Sequence, residues 1–127
     1  DVVATDHDTL WLIEVKDYRR NKRTKQKPLV EEIAIKIRDT LAGLVAAQYQ
    51  GGNGHDQDAR DALGKSNLKV VLHIEQPRQH SKLFPRIFKL ENLQIELRSK
   101  HMLRPVDPHV KVVESAAMPN AIPWTVS

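Results

Sequence analysis

Residues 1–18, DVVATDHDTLWLIEVKDY, decide the fold. Two runs rich in Val, Ile, Leu and aromatic residues, DVVAT (1–5) and LWLIEVKDY (10–18), flank Asp6-His7-Asp8-Thr9, and this pattern predicts a β-hairpin. Because successive side chains of a strand point to opposite faces, Trp11, Ile13 and Val15 share one face of the second strand. Leu10, Leu12, Glu14 and Lys16 share the other, so an acid and a lysine emerge side by side from an apolar strand.

Working outward, KDYRRNKRTKQK (16–27) holds seven Lys or Arg against one acid. It carries no periodic apolar residue, so a flexible basic loop is expected. Pro28 suits a first helical turn, and Leu29, Ile33, Ile37, Leu41 and Leu44 recur at helical spacing, predicting a long helix to about residue 49. Gly51-Gly52-Asn53-Gly54 terminates it. The polar stretch 51–67 reads as a flexible loop with one short helical turn around 57–63. LKVVLHIEQ (68–76), closed by Pro77, is a near-continuous apolar run, as in a central parallel strand buried on both faces. In 88–102 Leu90, Leu93, Leu97 and His101 fit a helix, while Leu93, Ile95 and Leu97 also alternate as in a strand; a helix is the expectation. VKVVE (110–114) is a last strand, and 115–127 form a Pro-punctuated tail whose Trp124 is expected to pack on the body. The order predicts one α/β domain over 1–127, a mixed sheet with the long helix crossing over between parallel strands.

Composition bounds the function. The chain has 127 residues, 40% of them hydrophobic and 28% charged, enough for one folded core. No cysteine is present, which excludes disulfides, thiol catalysis and thiolate zinc sites. No stretch reaches the roughly 18 to 20 apolar residues of a membrane helix, and the start lacks a signal-peptide pattern, so the expectation is a cytoplasmic protein without a membrane partner. Twenty Lys and Arg against sixteen Asp and Glu give +4, an excess clustered next to the hairpin. Because the chain enters an apolar run directly at Asp1, missing N-terminal sequence is expected, and an apolar sheet edge left open in this way would be available to pair two copies as a homodimer.

The hairpin also suggests chemistry. Phosphodiester hydrolysis needs charge neutralisation and an activated water, which carboxylate-held Mg²⁺ supplies. Asp1 opens one strand, Glu14 and Lys16 share a face of its partner, and the Val15 carbonyl adds a hard oxygen; these groups could converge at one sheet edge. Seven Glu and eleven Lys give about 0.6 chance Glu-x-Lys matches, so the tripeptide alone carries no weight. Its context carries more: this (Asp/Glu)-x-Lys occurs once, on an apolar strand that follows a strand beginning with Asp.

On Asp1 and Glu14-Val15-Lys16 the sequence resembles the PD-(D/E)xK nuclease superfamily, with spacing like that of small bacterial nuclease-like members and archaeal Holliday junction resolvases. The resemblance covers residues 1 to about 50 by motif and 68–76 by element order. It implies a restriction-endonuclease-like fold in which Asp1 and Glu14 bind Mg²⁺ (or Mn²⁺) and Lys16 orients water. It also implies a metal-dependent endonuclease on nucleic acid, DNA before RNA. The sequence departs from the family in lacking the helix and strand that usually precede the Asp. The alternative reading is a nuclease-fold module that binds nucleic acid or a protein partner without cutting. In either case Arg19, Arg20, Lys22, Arg23, Lys25 and Lys27 are natural phosphate contacts. Asp6 and Asp8 lie at the far end of the hairpin and rank lower as ligands, Tyr18 is a candidate for stacking on a base, and His73 reads as a hydrogen-bonded core residue. ARDALGKS (59–66) ends like a phosphate loop but is followed by a strand, which the motif forbids.

Overall fold

The computed structural model describes residues 2–50, 56–83 and 86–115. Its elements, in chain order, are β1 (Val2–Thr5), β2 (Thr9–Asp17), α1 (Leu29–Gln50), α2 (Asp56–Leu63), β3 (Asn67–Glu75), α3 (Leu90–Ser99) and β4 (Lys111–Val113). This is the expected α/β order, with a full helix α2 where one turn was predicted. The expected aspartate ligand at position 1 and the packing of Trp124 lie outside the described residues.

The sheet runs β1-β2-β3-β4. β1 pairs antiparallel with β2 from Val2↔Ile13 to Thr5↔Leu10, and the turn between them is closed by the Asp6 carboxylate, which accepts from the Thr9 amide at 3.2 Å and from the Trp11 indole at 3.2 Å. β2 and β3 are parallel over nine pairs, from Thr9↔Asn67 to Asp17↔Glu75, so their C-terminal ends finish level. β4 joins β3 in parallel only at Val71, Leu72 and His73. A parallel pair needs a crossover, which α1 and α2 supply.

The two faces of the sheet are unequal. Leu10 and Leu12 of β2 and Val70, Leu72 and Ile74 of β3 pack with Leu29, Ile33, Ala34 and Ile37 of α1 and with Leu93 and Leu97 of α3 in the main core. Trp11, Ile13, Val71 and Val113 form a smaller cluster on the opposite face. Pro28 accepts the first α1 hydrogen bond from the Glu32 amide at 3.1 Å, and Glu31 and Glu32 place negative charge where the helix dipole favours it. With 22 residues α1 is about 33 Å long. Its buried residues end at Ile37, and Tyr49 near its far end is 83% exposed.

Candidate nucleic-acid interface

Two polar networks sit on opposite faces of the sheet at the level C-terminal ends of β2 and β3. On the α1 face the alternation of β2 continues past Leu12 to Glu14, which is only 2% exposed, and then to Lys16. The Lys16 ammonium lies 3.5 Å from a Glu14 oxygen and 3.5 Å from a Glu32 oxygen, and Lys36 lies 3.5 Å from the same Glu14 oxygen. Glu32 and Lys36 are one helical turn apart, which points both from α1 toward the β2 end. Glu32, 7% exposed, further accepts from Arg23 at 2.7 Å and from Lys25. Burial works against ionisation of Glu32, yet hydrogen bonds from Lys25 and Arg23 and the neighbouring Lys16 charge outweigh it and hold the carboxyl at about 2. The Glu14 carboxylate in turn holds the Lys36 ammonium above the ordinary lysine value.

This network pins the basic loop, which the sequence reading leaves flexible. Arg23 reaches inward to Glu32, donates to the Lys27 carbonyl at 2.7 Å and touches the Tyr18 hydroxyl at 3.4 Å. Arg19 folds back on Asp17 in a two-pronged contact at 3.0 and 2.7 Å. Of the six expected phosphate contacts, Arg19, Arg23 and Lys25 are therefore engaged by carboxylates, while Arg20, Lys22 and Lys27 form no side-chain pair among the described residues. Tyr18 packs on Phe88 with ring centroids 5.9 Å apart, so it serves packing rather than standing ready to stack on a base. Asp6 and Asp8 remain at the opposite end of the hairpin, as expected.

Residues 14–36 hold eight Lys or Arg and four Asp or Glu. The rest of the chain carries twelve of each sign, so the whole excess of +4 is concentrated in this one segment.

On the other face His73 is 0% exposed, and its Nε2 lies 2.9 Å from Glu75 Oε1, which also accepts from the Ser115 amide at 2.6 Å. Burial pushes the Glu75 carboxyl up, but the Ser115 and His73 contacts more than offset it and leave it lowered. His73 is thus the hydrogen-bonded core residue expected, with Nδ1 unpartnered among the described residues.

The set expected for Mg²⁺ or Mn²⁺ was Asp1, Glu14 and the Val15 carbonyl. Asp1 lies outside the described residues, Val15 sits in the ladder opposite His73, and Glu14 is held by two ammonium groups. Among the described residues no group of three or more His, Cys, Asp or Glu side chains is arranged to hold a metal ion. Within the described residues Glu14 is thus the one carboxylate of the expected set, and its oxygen is shared by Lys16 and Lys36.

The fold and this edge define an α/β domain with a cationic loop bound to a buried charge network. No protein-family model and no solved structure matches the chain. A cysteine–tRNA ligase of Neisseria meningitidis is 35% identical over 148 residues that take in 100% of this chain and 21% of the ligase. The chain thus spans about a fifth of the length of the curated relative it matches. No helix among the described residues is long and apolar enough to cross a membrane.

This relative overturns the expectation of a divalent-metal-dependent endonuclease that hydrolyses phosphodiesters, and with it the hydrolase and nuclease description. The physical reason for the misreading is local. Glu14-Val15-Lys16 reproduces a catalytic tripeptide, but the acid and the lysine are members of a charge network completed by Glu32, Lys36, Arg23 and Lys25. Glu32 and Lys36 were absent from the sequence reading, although their spacing beside Ile33 and Ile37 is a signal for them.

Proposed function

We propose that this domain binds RNA, and that it serves an aminoacyl-tRNA ligase polypeptide by holding tRNA backbone on the loop 19–27. One observation carries the proposal: the entire positive excess of the chain lies in residues 14–36, where Glu14 and Glu32 fix the inner cations and leave Arg20, Lys22 and Lys27 outward. Backbone phosphates are recognised mainly by such charges, with little dependence on base sequence. The relative is a tRNA ligase, which favours RNA over DNA as the polymer.

In this reading the scaffold is a restriction-endonuclease-like sheet used for binding alone. Its support is the antiparallel hairpin followed by a parallel crossover, with Glu14 and Lys16 on one face of the second strand. Backbone-amide exchange of the chain with and without tRNA tests the proposal. Protection is expected across 19–27 and the first turn of α1, and tRNA that leaves these amides unprotected would refute it.

A further inference from the structure

A second cationic cleft lies far from the basic loop, at the N-terminal end of β3. β4 begins at Lys111, which pairs with Val71, so one side of Asn67–Val70 has no strand neighbour. The turn 106–110 stands across that gap. It is anchored by Leu103 and Val110, both fully buried, and by Asp107, whose two carboxylate oxygens accept from the Val70 amide at 2.9 Å and the His109 amide at 2.8 Å. The walls are thus held by the core and by hydrogen bonds, and the space between them, about 500 Å³, is of the size that small-molecule sites use.

Its lining is chemically divided. Lys69, His109 and Lys111 supply cationic or cation-forming groups, while Trp11, Val106 and Pro108 supply an apolar wall. Lys69 lies over the Trp11 ring, 5.2 Å from its centroid, and the indole N–H is fixed by Asp6. Asp107 lines the cleft and Asp6 acts on Lys69 through space; both keep their charge, but Asp107 turns its oxygens to the Val70 and His109 amides and Asp6 turns its own to the Trp11 indole and the Thr9 amide. With the carboxylate oxygens turned to protein donors, the groups left for a ligand in this cleft are the Lys69 and Lys111 ammonium groups and the His109 ring, and such donors suit an anion. The apolar wall asks that the anion carry a flat, weakly hydrated body.

We propose that this cleft binds a phosphorylated nucleoside, with the phosphate between Lys69, Lys111 and His109 and the base against Val106, Pro108 and the Trp11 edge of the floor. The same chemistry is offered by a free nucleotide and by the 5′-phosphorylated end of an RNA strand. Six residue steps of parallel strand lead from Lys69 to Glu75 at the other end of β3, a span of about 20 Å, so this site is distinct from the loop 19–27.

The test uses the chain carrying Trp124→Phe, which leaves Trp11 as the one indole, and follows its fluorescence during titration with adenosine monophosphate, adenosine, inorganic phosphate and a 5′-phosphorylated RNA trinucleotide. Adenosine monophosphate is expected to shift Trp11 emission saturably, with adenosine and phosphate each at least about tenfold weaker because each supplies one half of the contacts. A trinucleotide that binds more tightly than the mononucleotide assigns the site to a strand end, and the reverse assigns it to a free nucleotide. Lys69→Ala with Lys111→Ala is expected to weaken binding by about tenfold or more. The loop variant Arg20→Ala, Lys22→Ala, Lys27→Ala is expected to leave it unchanged, which separates this site from the proposed RNA contact. No emission shift up to about 5 mM mononucleotide in the folded chain, or an affinity indifferent to the two lysines, overturns the proposal.

Discussion

Replacing Glu32 by Gln removes one negative charge from beneath the basic loop while keeping size and hydrogen-bonding capacity. In the folded chain the Glu32 carboxyl is held at about 2 against an ordinary value of 4.5. The folded value is depressed, so the carboxylate contributes stability that is fully present above the unfolded value and is lost as pH falls toward the folded one. At about 1.4 kcal/mol per unit, the shift corresponds to about 3 kcal/mol at neutral pH. The same linkage leaves roughly half of that at about pH 3, where the unfolded chain is already protonated and the folded chain is not. Urea unfolding of Glu32→Gln and the parent chain, followed by far-ultraviolet circular dichroism at pH 7 and pH 3, reads both numbers. The expected result is a large difference in midpoint at pH 7 that shrinks by about half at pH 3. Equal destabilisation at the two pH values would refute the reasoning, because it would mean that Gln disturbs packing rather than removing a stabilising charge.

Ile33→Ala empties a fully buried position where α1 meets β2 and β3, and urea denaturation is expected to show a loss of about 2 to 5 kcal/mol. Asp107→Ala leaves the buried Val70 amide without its acceptor, and a loss of about 1 to 3 kcal/mol is expected in the same assay, with accelerated amide exchange at Val70 as its local signature.

Much of the fold was legible because it rests on local periodicity. The period-two pattern of 10–18, the 3.6-residue recurrence of Leu29, Ile33 and Ile37 and the unbroken apolar run of 68–76 each appear as the element expected, at nearly the expected bounds. The site was less legible, because its partners meet across the chain. The shared face of Glu14 and Lys16 follows from strand alternation. Lys36, by contrast, approaches Glu14 only because α1 packs along that face. The loop 16–27 has no periodic apolar pattern; it is anchored by Tyr18 against Phe88 and by the buried carboxylate of Glu32, a residue type that pattern reading assigns to the surface. Ser115 meets Glu75 from forty residues away, a contact that no local window contains. The nuclease reading failed for a related reason. A tripeptide and a preceding strand specify which side chains share a face, and they leave open which cations from other elements close over them.

The salt dependence of tRNA affinity tests the central claim most directly, measured by fluorescence anisotropy for the chain and for its Arg20→Ala, Lys22→Ala, Lys27→Ala variant between about 50 and 200 mM salt. If the loop neutralises backbone phosphates, the parent chain binds with a steep negative slope of log affinity against log salt, and the variant binds more weakly with a slope shallower by about 2 to 3, one counterion release lost per cation. Identical slopes for the two proteins, or no tRNA binding by the parent chain at low salt, would contradict the account.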